Sequence, residues 1–368
     1  MLKELRPDKM LKSLIQPIFG SQRTKEILHI NPTIIPTREE ATEVQIYVYD
    51  YNQKELAEKE LSNVSEALPY VNNNRISWIN INGLRKTDTE LIAGHFGIHP
   101  LVVEDILSIH QRPKMDEVEG IMFCLLNMLY FNSERRSVEV EQISIVLGKD
   151  FVISFQEDAS RDVFNPLRHR LKMPGSKIRE RGADYLLYNL LDLIVDNYFV
   201  VMEKIGDQIE DLEEEVIRRH SKRSLARINQ VRKELIVLKR NLAPVRELTN
   251  GFIRSENELL EERTNKYFKD VYDHIVQAYD LSENYRDVMM SMQDLYINNV
   301  NLRMNEVMKV MAIVTVLLAP PTVIGGIFGM NFDRIPFSHQ PLAFYSTVAA
   351  MLLIPILMLI VFKKRGWF

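Results

Sequence analysis

The sequence predicts an α/β domain followed by a long stalk helix and two C-terminal membrane-spanning helices. Three observations predict it. Segments rich in β-branched and aromatic residues recur through the first 165 positions. A charged helical pattern then runs from about Glu256 without a breaker until Pro320. Two uncharged apolar runs, Val310 to Phe328 and Leu342 to Phe362, lie together near the end of the chain.

The runs come first because they fix the setting. Each is long enough to cross about 30 Å of hydrocarbon as a helix. A pair of buried core helices is the alternative, and the length and adjacency of the runs argue against it. Arg303 and Lys309 precede the first run, and Lys363, Lys364 and Arg365 follow the second. The short connector carries Asp333, Arg334 and His339. By the positive-inside rule both ends face the cytoplasm and the connector lies outside. The expected location is the cell (inner) membrane, with multiple passes and both termini cytoplasmic.

Composition agrees with that setting. The 368 residues hold 46 Lys and Arg against 50 Asp and Glu, a net charge of −4, which gives no reason to expect a nucleic-acid partner. Cys124 is the sole cysteine, so a disulfide within the chain is impossible, as suits a reducing compartment. The opening segment MLKELRPDKMLKSLIQPIFG carries charges throughout and lacks the apolar core of a signal peptide.

In the α/β domain, 44–50, 76–82, 138–147 and 150–155 read as strands. Leu101 to Ile109 and parts of 53–67 read as helical. Residues 166–248 read as a helical hairpin with a polar break near Arg219–Lys222. One arm is acidic (207–216) and the other basic (Lys222, Arg223, Arg227, Arg232, Lys233, Lys239, Arg240). Two solvated faces that pair weakly account for this, and a role in attracting cations stays open. The expected division is a cytoplasmic α/β domain (1–165), a helical hairpin (166–248), a stalk helix (249–309), a first span with its outer mouth (310–332), an extracellular connector (333–341), a second span (342–362) and a basic cytoplasmic tail (363–368).

Counting sevens along the stalk gives Asp273, Asp280, Asp287, Asp294, Asn301, Met308, Thr315, Thr322 and Gly329. A left-handed supercoil keeps such a line on one face. Asn305, Ala312, Ala319 and Gly326 fall on the same side. Small residues could serve close helix packing, with Gly325 and Gly329 as a G-x-x-x-G pair. Alternatively the face lines a water-filled path, which tolerates Thr and Asn at membrane depth. Two spans per chain cannot enclose a pore, so a lining role requires a ring of identical subunits. Pro320 and Pro321 free the carbonyls of Val316 and Leu317, and a local bend is expected there.

The spans carry no carboxylate. A ring of neutral amides and hydroxyls suits a hydrated Mg²⁺ ion held through its waters. No G-x-x-x-x-G-K-[ST] segment suggests an ATP-driven pump, and no G-x-S-x-G, H-E-x-x-H or G-x-G-x-x-G suggests an enzyme.

Phe328-Gly329-Met330-Asn331-Phe332 resembles the outer-pore signature of CorA-type magnesium transporters. Asn305-Glu306-Val307-Met308-Lys309-Val310 resembles their inner end, and Lys363-Lys364-Arg365-Gly366-Trp367-Phe368 their closing segment. Residues 99–114, 183–199 and 267–280 carry further matches, so the resemblance covers nearly the whole chain after about residue 25. It implies a funnel-shaped homopentameric channel whose first span lines the pore. Gly329, Met330 and Asn331 would form the selectivity filter, with Asn331 binding hydrated Mg²⁺. Asn305 would form an inner polar ring and Met308 and Met311 the hydrophobic constriction; the line of sevens and its interleaved positions add Asn301, Ala312, Thr315, Ala319 and Thr322 as expected pore positions. The resemblance also implies regulatory Mg²⁺ beside the transported ion. Asp105 would face Asp270 of a neighbouring subunit, with Glu104 and Asp192 nearby and Asp294 near the inner pore. Lys363, Lys364 and Arg365 would form a basic collar.

The connector departs from the family pattern, with Phe337 at one acidic position and Arg334 added. Met330 favours magnesium over a related zinc-transporting branch, and Co²⁺ and Ni²⁺ stay open as further cargo. The second reading is a membrane-anchored divalent-cation sensor or scaffold that does not conduct. His95, His99 and His110 are expected to be structural.

Overall fold

The computed structural model describes residues 40–71, 74–109, 111–158, 161–218, 222–330 and 341–367. Expectations for the amino-terminal segment, His110, the break at 219–221, Asn331 and the connector up to position 340 lie outside them. The chain divides into two compact units, the second beginning at Gln293.

In the first unit, seven strands form one sheet in the order β2-β1-β3-β7-β6-β5-β4. The strands are β1 (Gln45–Tyr51), β2 (Leu56–Leu61), β3 (Ile76–Asn82), β4 (Lys114–Val118), β5 (Ile121–Asn132), β6 (Ser137–Leu147) and β7 (Phe151–Gln156). All neighbours are antiparallel except β3 and β7. That parallel pair needs a crossover, and the chain between them supplies two helices and the β4–β5–β6 meander.

One face carries Ile46, Val48, Ile79, Ile81, Phe123, Leu125, Ile153 and Phe155. They pack on Ile92, Phe96, Val102 and Ile106 of α1 (Lys86–Phe96) and α2 (Pro100–Leu107). The two short helices meet at a tight corner. Gly97 closes α1 with φ of +67°, a conformation that disfavours a side chain. His99 then caps α2, its Nδ1 accepting from Leu101 N at 3.2 Å, with Pro100 in the first turn. This corner orients Glu104 and Asp105. His95 packs edge-on against Phe96.

The other sheet face is covered by α4 (Ala183–Arg218) and α5 (Lys222–Arg254), reached through the short α3 (Asn165–Lys172). Tyr198 of α4 is fully buried and donates to the carbonyl of Asn127 at 2.6 Å. Trp78 stacks on Tyr49 and meets Phe164 edge-on. Arg168 of α3 lies over the rings of Tyr47, Tyr49 and Trp78 and pairs with Asp162. The apolar α4 is long enough to span a membrane, but its most apolar stretch is 67% buried, so it is a core helix. Between the arms of the hairpin, Arg227 pairs with Glu215, which also accepts from Ser224.

Several sequence expectations change here. The 53–67 region holds strand β2 and a single 3₁₀ turn (Val64–Ala67). Leu, Ala, Glu and Lys favour helix, but Asn52 accepts from the backbone of Lys54 and Glu55 and turns the chain back onto β1. Strands β4 and β5 were not anticipated either. The apolar run of β5 is buried on both faces and so lacks alternation. The stalk helix, α6 (Glu262–Phe328), starts later than Glu256 because Asp184 accepts from Glu261 N at 3.0 Å and holds the turn before it. It continues through Pro320 and Pro321.

Within the first unit α6 buries Phe268, Val271, Ile275, Ala278, Ser282, Met289 and Met292. Those steps of three, four and seven make a packed seam. Phe268 stacks on Phe252 of α5 at 5.1 Å, and Tyr285 approaches Gly206 of α4 so closely that a Cβ there would lie 2.6 Å from the phenol oxygen. In the second unit, α6 from Gln293 onward and α7 (Pro341–Lys364) are the two elements. Gly325 sits against Met351 of α7, where a Cβ would be 3.2 Å from the methionine methyl.

Candidate functional sites

Two sets of site residues emerge, one in each unit. In the first, Asp192 and Asp196 lie four residues apart on α4, and Asp270 and His274 four apart on α6. That spacing puts each pair on one helix face. Ligand atoms of Asp192, Asp196 and His274 all lie within 4.8 Å of one another. His274 Nδ1 is 3.9 Å from Asp196, too far for a direct hydrogen bond. Tyr188 donates to Asp192 at 3.4 Å. Burial pushes the Asp192 carboxyl up, and the charges of Asp196 and Asp270 push the same way, against His274 and Arg170. Carboxylates that raise one another's proton affinity are relieved by a divalent cation. The imidazole adds a nitrogen ligand, which Co²⁺ and Ni²⁺ accept more readily than Mg²⁺ does.

Sequence reading singled out Asp192 and Asp270 but missed Asp196 and His274. The four-residue spacing inside 183–199 and 267–280 was the available signal. Glu104 and Asp105 occupy a different place. Glu104 is exposed. Asp105 accepts from Lys114 Nζ at 2.6 Å and Gln111 Nε2 at 3.0 Å. Burial works against the charge on Lys114, but its bonds to Asp105 and Asp116 outweigh that and hold its pKa up. No hydrogen bond or ion pair joins Asp105 to Asp192 or Asp270 among the described residues.

In the second unit, the expected pore positions all lie on the exposed surface of the single chain. Asp294, Asn301, Asn305, Met308, Met311, Ala312, Thr315, Ala319 and Thr322 share that exposure. The hydroxyls of the exposed Thr315 and Thr322 donate to the carbonyls of Met311 and Leu318, one turn back. Gly329 N bonds the carbonyl of Gly325, and a Cβ at Gly329 would stand 3.1 Å from that oxygen. Met330 follows in a turn and is half exposed. The most apolar stretch of α6 is 6% buried and that of α7 wholly unburied. Apolar surface on that scale needs lipid or other copies against it.

The end of α7 is built as a stop. Trp367 N bonds Phe362 O, Gly366 N bonds Lys363 O, and Gly366 has φ of +71°. Trp367 stacks on Phe362 at 5.1 Å. This is a Schellman cap with its hydrophobic contact, and it sets Lys363, Lys364 and Arg365 in the last turn.

A family model described as CorA-like Mg²⁺ transporter protein matches residues 73–364. This chain belongs to that family. The CorA family is one of transporters, and the apolar α6 and α7 mark this member as a membrane protein. The chain is 39% identical over 336 residues to the cobalt/magnesium transport protein CorA of Thermotoga maritima, covering 91% of this chain and 95% of that one. It is 30% identical over 291 residues to a putative metal ion transporter of Bacillus subtilis, covering 79% and 89%. The complete structure of the CorA magnesium transporter from Methanocaldococcus jannaschii superposes with a TM-score of 0.74 at 24% identity, covering 88% of this chain and 98% of that one. That likeness shows the shared CorA fold: an α/β unit, a long helix and apolar C-terminal helices.

Proposed function

We propose that this CorA-family chain is one subunit of a homopentameric channel in the cell membrane, with both termini cytoplasmic, that takes up Mg²⁺ passively and also passes Co²⁺ and Ni²⁺. The observation that carries this reading is the line of small and polar residues along α6, which stays exposed through the stretch from Val310 to Phe328 where the helix is otherwise apolar. A divalent ion entering a negative cell gains roughly 4.6 kcal/mol per 100 mV, twice the single-charge value, so no other fuel is needed and no catalytic residue is assigned.

In this reading Gly329, Met330 and Asn331 form the filter, and the Asn331 amides hold the ion through its water shell. Asn301 and Asn305 are inner polar positions. Met308 and Met311 narrow the path to a dewetting gate, and Ala312, Thr315, Ala319 and Thr322 line it. Asp294 and the collar of Lys363, Lys364 and Arg365 sit toward the cytoplasmic mouth. Cytosolic Mg²⁺ bound by Glu104, Asp105, Asp192 and Asp270 between subunits screens carboxylates that otherwise repel, and so favours closure. Asp196 and His274 extend that site.

The test is Mg²⁺ influx into sealed vesicles holding the purified protein, with and without an inside-negative potential. Influx should rise with the potential and fall to background in Asn331→Ala, with the assembly intact by size. Influx no greater than in protein-free vesicles, with or without the potential, would sink the channel reading and leave a cation sensor that does not conduct.

A further inference from the structure

Strand β4 ends the sheet, and its side chains alternate between two sets of partners. Met115 turns toward α5, where a Cβ at Gly251 would lie 2.9 Å from its methyl. Glu117, two residues on, accepts from Ser255 Oγ at 2.6 Å and Asn257 Nδ2 at 3.0 Å in the turn that follows α5. Lys114 and Asp116 alternate with these and take the other face, where Lys114 reaches Asp105 of α2.

The Lys114 ammonium stands between two carboxylates, 2.6 Å from Asp105 Oδ2 and 2.9 Å from Asp116 Oδ2. The other Asp105 oxygen accepts from Gln111 Nε2 at 3.0 Å. Both oxygens of Asp105 are thus engaged within its own chain. The pair is still open to solvent, with 17% of the Asp105 side chain and 35% of the Lys114 side chain exposed. A tethered single positive charge therefore lies against the carboxylate that the regulatory reading gives to a divalent cation. An ion arriving at that oxygen is repelled by the ammonium at close range, so it binds Asp105 only as Lys114 withdraws. Asp116 is already in contact and keeps a partner on the displaced ammonium.

We infer that Lys114 is a built-in competitor for the cation at Asp105. It neutralises the aspartate while no divalent ion is bound, and passes to Asp116 when the ion arrives. This role rests on the reading of Asp105 as a regulatory Mg²⁺ ligand, and makes Lys114 the residue that sets the Mg²⁺ concentration at which Asp105 responds. Without the ammonium, Asp105 and Asp116 would stand as uncompensated carboxylates, with the exposed Glu104 next to Asp105 in the chain. Such a group attracts a divalent ion more strongly than the neutralised one does.

The test is protection of the purified full chain in detergent against chymotrypsin, read as the Mg²⁺ concentration that gives half protection at constant ionic strength. Lys114→Gln should lower that concentration about three- to tenfold, the effect of one charge-assisted bond partly screened by solvent. Lys114→Arg keeps the charge and should keep the native value. In an Asp105→Asn background, Lys114→Gln should bring no comparable fall, because the carboxylate competed for is gone. A concentration that Lys114→Gln leaves unchanged or raises overturns the inference. So does an equal fall in Lys114→Arg, or a full-sized fall in the Asp105→Asn background. Asp105→Asn by itself separates the two claims, since it should raise the half-protecting concentration. If it does, and Lys114→Gln has no effect, the competitor alone is lost and Asp105 stands as a ligand. If Mg²⁺ does not protect the native chain, or Asp105→Asn changes nothing, the regulatory reading of Asp105 fails and the role of Lys114 falls with it.

Discussion

At the scale of single residues, Glu141 is a carboxyl group that burial displaces well away from its ordinary chemistry. It is 3% exposed on β6. One oxygen accepts from the backbone of Glu157 and Asp158, each at 3.0 Å, and the other has no partner. Burial pushes its carboxyl up to about 7 from 4.5, against the pull of those backbone donors. A raised carboxyl binds its proton more tightly folded than unfolded. Its contribution to stability is therefore intact below about 4.5 and is lost as pH rises through about 7. The loss is about 3 kcal/mol. Thermal unfolding followed by the fluorescence of buried Trp78 should show the native chain losing stability across that window relative to Glu141→Gln. Parallel pH profiles for the two proteins would remove the assignment.

The acidic cluster carries a second prediction at this scale. With an imidazole beside two carboxylates, Co²⁺ should raise the thermal midpoint at lower concentration than Mg²⁺ does. His274→Ala should erase most of that difference and spare most of the Mg²⁺ response. If His274→Ala leaves the Co²⁺ advantage unchanged, the nitrogen is not a ligand. His274 was hidden from sequence reading because a lone histidine in a charged helix has no distinguishing pattern. It becomes visible only when α4 brings Asp192 and Asp196 against it.

Among elements, α6 shows how a sequence can be legible and still be read on one side only. Counting sevens from Asp273 found a line that is exposed as far as Asp294 and onward into the apolar stretch. The interleaved seam from Phe268 to Met292 is equally periodic and is the side that packs. The two faces should differ sharply in energetic weight. Phe268→Ala removes a fully buried ring stacked on Phe252 and should cost about 3–5 kcal/mol in denaturant unfolding. Asp280→Asn, exposed on the same helix, should change stability by less than about 0.5 kcal/mol. Comparable costs would mean that the seam is misassigned. The apolar spans and the strands at 76–82, 138–147 and 150–155 were legible because length or β-branching marked them. Strand β2 was not, since its residues favour helix and only the Asn52 turn and pairing to β1 override them.

For the whole molecule, the open question is what stands against the exposed faces of α6 and α7 and against Asp105. Within one chain Asp105 is held by Lys114 and Gln111, whereas Asp270 acts on Asp192 across the α4–α6 contact. The pentamer reading requires the two aspartates to meet between neighbours in a closed ring. In such a heterologous contact each subunit offers one of the pair to the left and the other to the right. Asp105→Cys and Asp270→Cys in the same chain should then form disulfides under mild oxidation only between subunits. The native Cys124 is buried, with its thiol pushed up by burial, and stays unreactive. Non-reducing electrophoresis should give a ladder that ends at the pentamer, and either single variant should give monomer alone. A bond formed within one chain, or a ladder ending at the dimer, would place Asp105 and Asp270 in some other arrangement. The regulatory half of the proposal would then have to be rebuilt on Asp192, Asp196 and His274 alone.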